Sequence, residues 1–136
     1  MDYLFATVLP ANPLVWMEVS HLSEENAACL TKITKVYKQY QAELFASRVM
    51  PIGQMPNGRQ FSGYCCKDPD GKSGHLLLFR EETKQEAYTF ELPVLLDGAE
   101  LSVVYENGLT DFNSDGNAIR AAFAKPRSFV WLKYTL

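Results

Sequence analysis

The stretch Ser23–Gly53 reads SEENAACLTKITKVYKQYQAELFASRVMPIG, and it divides the chain in two. Leu30, Ile33, Val36 or Tyr37, Tyr40 and Leu44 recur at helical spacing and define one apolar stripe. Ser23 suits an N-cap, and Glu24 and Glu25 fall in the first turn, where the helix dipole favours negative charge. Lys32, Lys35 and Lys38 lie on other faces and move positive charge toward the C-terminal half. Pro51 and Gly53 stop any helix. These signals predict a single amphipathic helix over about Glu24–Ala46.

Beyond Pro51 the pattern changes to short runs separated by Gly, Asp, Asn and Pro turns. Pro56-Asn57-Gly58 precedes a strand at about Arg59–Cys66, and Asp68-Pro69-Asp70-Gly71 is a turn. In His75–Arg80, Leu76 and Leu78 oppose Leu77 and Phe79, so both faces are apolar and the strand should be central. Glu86–Leu92 alternates, with Tyr88, Phe90 and Leu92 on one face. Leu101, Val103 and Tyr105 follow Asp97-Gly98. A further turn is expected at Asp111–Gly116, then Ile119, Ala121 and Phe123, and finally Ser128–Tyr134. The fold class expected is mainly β: an antiparallel sandwich of six to eight strands preceded by one helix. Ahead of that helix, Leu4–Leu9 reads as a short buried strand. The run Leu14–Val19 is too short for periodicity to decide its structure.

A chain of 136 residues suffices for one domain with a real core. Its formal net charge of −3, with Lys and Arg scattered, does not favour nucleic acid or an anionic membrane as a partner. No apolar run reaches the length of a bilayer span. Asp2 stands where a signal peptide carries Lys or Arg, and Pro10 and Pro13 break the apolar run. The chain is therefore expected to carry no export signal of its own. A parent's leader would lie upstream, and no location is assigned. Cys29, Cys65 and Cys66 are an odd count with one adjacent pair, which reads as free buried thiols rather than a disulfide framework.

The order of elements resembles the C-terminal end of α-galactosidase-like glycoside hydrolases. The resemblance rests on the helix, the Pro-Gly-containing stretch after it, and His75-Leu76-Leu77-Leu78-Phe79-Arg80. It rests also on Leu101-Ser102-Val103-Val104-Tyr105-Glu106-Asn107-Gly108, the turn with Asp115-Gly116, and the closing run Phe129-Val130-Trp131-Leu132-Lys133-Tyr134. It implies that residues 1–50 correspond to the last strand or loop and last helix of a (β/α)8 barrel, and 51–136 to the terminal β-sandwich. It implies also that the family's nucleophile and acid/base, aspartates on earlier barrel strands, lie outside this chain. The chain alone is then expected to be non-catalytic and its parent a glycosidase. The implied partner is the parent's barrel, or a second copy through residues 1–46. A free-standing carbohydrate-binding or interaction module is the alternative.

Site candidates are few. Glycoside hydrolysis needs two carboxyl groups facing one sugar cleft. Glu24/Glu25, Glu81/Glu82 and Asp68/Asp70 are each accounted for by helix or turn chemistry. Trp16 and Glu18, near the implied last barrel strand, are candidate sugar contacts. Trp131 is a candidate stacking ring, although most aromatic positions alternate as core should. Asp111, Asn113 and Asp115, followed by Gly116, match the first half of a calcium loop. The acid expected at the twelfth position is replaced by Ala122, so Ca²⁺ is the one cofactor considered and none is required. His21 and His75 lack ligand-spaced companions for zinc.

Overall fold

The computed structural model describes residues 1–14 and 19–136. Its long helix, α2, spans Glu24–Ala46, and the Ser23 hydroxyl oxygen accepts the Asn26 N–H at 3.2 Å. Ile33, Tyr37 and Leu44 are buried along one side, with Leu30, Val36 and Tyr40 partly buried beside them. The helix, its cap and its stripe are those the spacing predicts.

Eight strands follow: β1 (Arg48–Gly53), β2 (Phe61–Lys67), β3 (Ser73–Arg80), β4 (Ala87–Glu91), β5 (Glu100–Asn107), β6 (Leu109–Asp115), β7 (Ala118–Phe123) and β8 (Ser128–Thr135). They form a five-stranded sheet, β1-β2-β3-β8-β5, and a three-stranded sheet, β4-β7-β6, with antiparallel pairings throughout. The three-stranded sheet covers one face of the larger sheet. Helix α2 and a short N-terminal helix, α1 (Asp2–Ala6), cover the other.

β3 holds the middle position, as its two apolar faces require. Leu76 and Leu78 enter the core between the sheets, while Leu77 and Phe79 enter the core under the helices. Cys65 and Cys66 divide in the same way, because successive side chains of a strand point to opposite faces. Both thiols are fully buried and unpaired in any disulfide. Each fully buried Leu or Phe side chain stabilises the fold by about 1.5–3 kcal/mol, so two cores sharing one sheet bind all three layers.

Arg80 crosses between the sheets. It is buried, and its guanidinium donates from Nη1 to the Phe123 carbonyl at 2.6 Å and from Nη2 to the Thr83 carbonyl at 3.0 Å. The end of β3 is thereby tied to the end of β7.

Several expectations are corrected. Leu4–Leu9 is not a strand: α1 leads to a 3-10 turn at Leu9–Ala11, burying Phe5, Ala6 and Leu9. Asp2 anchors this segment, because the Asn107 side-chain amide donates to both carboxylate oxygens at 3.0 and 3.1 Å. β1 begins almost where α2 ends, although Pro51 and Gly53 read only as breakers. It is an edge strand, the position in a sheet that tolerates a missing backbone donor.

Asp111–Gly116 is not a turn throughout. Asp111–Asp115 belongs to β6, and only Gly116, with φ 59°, lies in the bend before β7. In β5 a register shift between Val103 and Tyr105 changes the face of the strand. Leu101 therefore packs between the sheets, Tyr105 packs under α2, and Val103 is exposed.

Candidate functional site

The helices do not cover the whole face of the five-stranded sheet. At the corner formed by β1, β2 and the end of β3 the described residues leave a cleft of about 460 Å³. Its walls include Tyr3 and Thr7 from α1 and the bend after it, Pro51 from β1, Ser62 and Tyr64 from β2, and Phe79 and Glu81 from β3 and its continuation. The alternation of the strands places these residues together. Tyr64 pairs with Leu77 and with Pro51, Ser62 pairs with Phe79, and directly opposed residues share a face.

The rings meet edge to face. Tyr3 and Phe79 have centroids 5.8 Å apart at 85°, and Tyr64 and Phe79 are 6.1 Å apart at 79°. Glu81 is the charged lining residue and is only 9% exposed. Its Oε1 accepts from the Ser62 hydroxyl at 3.0 Å, and its Oε2 accepts from the Gln60 N–H at 3.2 Å. Burial, with the Glu81 charge beside it, pushes the Tyr3 phenol up to about 12, so it stays protonated near neutrality.

A second polar cluster lies under α2. The Trp131 indole N–H donates to His75 Nδ1 at 3.1 Å. An indole can only donate, so Nδ1 accepts and the ring proton sits on Nε2, which faces Glu43 Oε2 at 3.0 Å. The Lys133 ammonium donates to the same Glu43 oxygen at 2.8 Å. Burial lowers the His75 pKa against the pull of Glu43, which acts to raise it. For Glu43, burial acts upward, but the hydrogen bonds from Lys133 and His75 outweigh it and the net shift is down. The Glu43 bond pushes Lys133 up. The cluster contains a proton carrier but no nucleophile. Its geometry fastens α2 to β3 and β8.

The residues singled out from sequence fall elsewhere. Trp16 and Glu18 lie outside the described residues. Trp131 is corrected: it has no exposed surface, packs edge to face on Tyr40 and has its N–H committed to His75, so it offers no ring to a ligand. Asp111, Asn113 and Asp115 stand on the exposed side of β6. Alternate strand residues are roughly 6.6 Å apart, so their side chains run in a row where a calcium loop would wrap them around one ion. Asp111 reaches toward Arg120 at 4.0 Å. Among the described residues no group of three or more His, Cys, Asp or Glu side chains is gathered for a metal. Burial pushes the Cys65 and Cys66 thiols up to about 11 and about 12, which removes them as nucleophiles near neutrality.

The sequence presents Glu81 only as part of a solvated turn with Glu82. The missed signal was the position of Ser62 and Tyr64 on one face of β2, opposite Phe79. The β2–β3 register alone brings that face against Glu81.

Comparison with family models, with curated proteins and with solved structures found no match to this chain.

Proposed function

We propose that the chain is the non-catalytic C-terminal β-sandwich of an α-galactosidase-like glycoside hydrolase, supporting the catalytic barrel in carbohydrate degradation. One observation carries this reading: the helical segments that cover the sheet also display single large apolar side chains outward. Ile33, Tyr37 and Leu44 face the sheet, while Leu4 of α1 and Phe45 of α2 are 64% and 70% exposed. Large apolar side chains displayed on a layer that already covers a core suit a further packing partner, which the parent's barrel supplies. The order of helix, Pro-Gly-containing strand and sandwich accords with this role.

Two measurements test it. The coding region immediately upstream should continue into barrel strands that bear the two catalytic aspartates; a stop codon there overturns the reading. The purified chain should leave aryl α-galactosides intact. Turnover abolished by a single carboxylate substitution would place the chemistry inside this chain and end the proposal.

The cleft at Tyr3 and Tyr64 favours a second reading, a free-standing carbohydrate-binding or interaction module. Glycan-array binding lost in Tyr64→Ala would support it, and no binding to any glycan would count against the carbohydrate version.

A further inference from the structure

We infer that the cleft between α1 and the β1–β2 corner binds an organic cation, an ammonium or guanidinium group carried on a short apolar stem. This goes beyond both functional readings above. Three features of the site lead to it.

The first is the carboxylate. An ionised carboxylate offers about four acceptor positions, and Glu81 has two of them filled, by Ser62 and Gln60. Among the described residues no lysine or arginine pairs with it. Arg127, near enough for its charge to act on Tyr3, is bonded to Glu82 at 2.6 Å. A largely buried negative group without a positive partner favours a ligand that supplies one.

The second is the direction of the surrounding hydrogen bonds. The Ser62 hydroxyl gives its proton to Glu81, and the Thr7 hydroxyl gives its proton to the Leu4 carbonyl at 2.8 Å. Both hydroxyls therefore have acceptor capacity but no free proton. Gln54 uses its carbonyl oxygen on the Phe61 N–H at 3.2 Å and keeps its amide protons, and the tyrosine hydroxyls keep theirs. The lining thus holds acceptors at Glu81, Ser62 and Thr7 and donors at Gln54 and the tyrosines. An ammonium or guanidinium, which only donates, is matched by the three acceptors, one of them a carboxylate.

The third is the aromatic corner. Tyr3 and Tyr64 stand at 85° and 79° to Phe79. Aromatic faces carry negative quadrupole potential and attract cations. The apolar surfaces of Pro51 and Met55 beside them receive the stem. The cleft volume of about 460 Å³ lies within the range of small-molecule sites.

The test is a titration of the full chain with n-butylammonium and n-butylguanidinium, followed by calorimetry and by the proton NMR shifts of the Tyr3 and Tyr64 rings. Pentanol serves as the neutral analogue, pentanoate as the anionic one and methyl α-galactoside as the sugar. Both cations should saturate and move those two rings. Pentanol and pentanoate should bind at least about tenfold more weakly, the scale expected for one hydrogen bond to a charged group. Glu81→Gln keeps the shape and should weaken cation binding by a similar factor while leaving pentanol unchanged. Tyr64→Leu, which leaves the charge in place, should weaken the cations several-fold. Far-UV circular dichroism and the thermal midpoint of each variant confirm folding. The proposal is overturned by any of three results: equal affinity for cations and pentanol, unchanged cation binding in folded Glu81→Gln, or methyl α-galactoside binding with no response to either cation.

Discussion

The indole N–H of Trp131 donates to Nδ1 of His75 at 3.1 Å, and both side chains are fully buried between α2 and the sheet. The bond exists only while His75 is neutral, because a proton on Nδ1 would set donor against donor. The folded-state pKa of His75 accordingly lies below 6.5, burial being the main cause. In the unfolded chain His75 takes up a proton as the pH falls through about 6.5, while the folded form resists. Its contribution to stability is therefore complete above that pH and is lost as the pH falls below it. Urea midpoints measured at a series of pH values should show this decline, and His75→Gln should flatten it. The effect of Glu43 occupies a separate, lower window. Its folded pKa is depressed, so that contribution is present above about 4.5 and is lost on further acidification.

Trp131→Phe tests the same bond from the other side. It keeps most of the packing against Tyr40 but leaves Nδ1 of a buried imidazole without its donor. A loss of about 1–3 kcal/mol is expected from the unpaired acceptor, plus a smaller loss from the reduced ring volume. Equilibrium denaturation near neutrality provides the measurement.

Arg80→Leu should cost about 3 kcal/mol or more, because it removes two charge-assisted hydrogen bonds and leaves the Phe123 and Thr83 carbonyls without them. Arg80→Lys should recover only part of the loss, since one ammonium does not reproduce a planar fork that reaches two carbonyls in different directions. Thermal melts of both variants beside the parent chain give the ranking.

Gly74→Ala should be severely destabilising for a steric reason. A Cβ at that position would lie 2.5 Å from the Tyr134 hydroxyl oxygen and closer still to the Cys66 carbonyl. Tyr134 is the β8 register partner of Gly74, and the missing side chain leaves room for its phenol. A cost of about 1–3 kcal/mol is expected. The double variant Gly74→Ala/Tyr134→Leu should not restore full stability, because the backbone carbonyl of Cys66 still blocks the position. Yield of folded protein and the urea midpoint decide this.

Thiol titration with an aromatic disulfide should distinguish Cys29 from the other two. Cys29 is partly exposed and should react in the native state. Cys65 and Cys66, fully buried with thiols raised to about 11 and about 12, should react only on unfolding. Three equally fast thiols in the native protein would contradict their placement in β2.

The exposed Leu4, Leu14 and Phe45 lead to an expectation in solution. The scattered mass should rise with concentration, and Phe45→Glu should reduce that rise without lowering the thermal midpoint. A mass independent of concentration would show that these side chains do not drive self-association.

Local chemistry determined a large part of this fold. The stripe Leu30, Ile33, Tyr37, Leu44 and the cap at Ser23 define α2, because helical spacing and an N-terminal acceptor are properties of adjacent residues. The two apolar faces of Leu76–Phe79 place β3 in the centre of a sheet covered on both sides, because a strand apolar on both faces must be buried on both. The opposite burial of Cys65 and Cys66 follows from the same alternation.

Tertiary structure decided the rest. Whether Arg48–Gly53 forms an edge strand depends on the presence of β2 to pair with it, and Pro51 conceals that from any local reading. The register shift in β5 sends Leu101 and Tyr105 to different cores, although strict alternation assigns them one face. Asp111, Asn113 and Asp115 look like a metal loop until β7 pairs with them and stretches them into a row. The cleft depends on Tyr3, Tyr64 and Glu81, which are far apart in sequence and meet only because α1 folds onto the sheet beside the β2–β3 hairpin. Spacing along a chain encodes the period of each element, whereas a site is made where the elements meet, and that is set by which apolar faces bury one another.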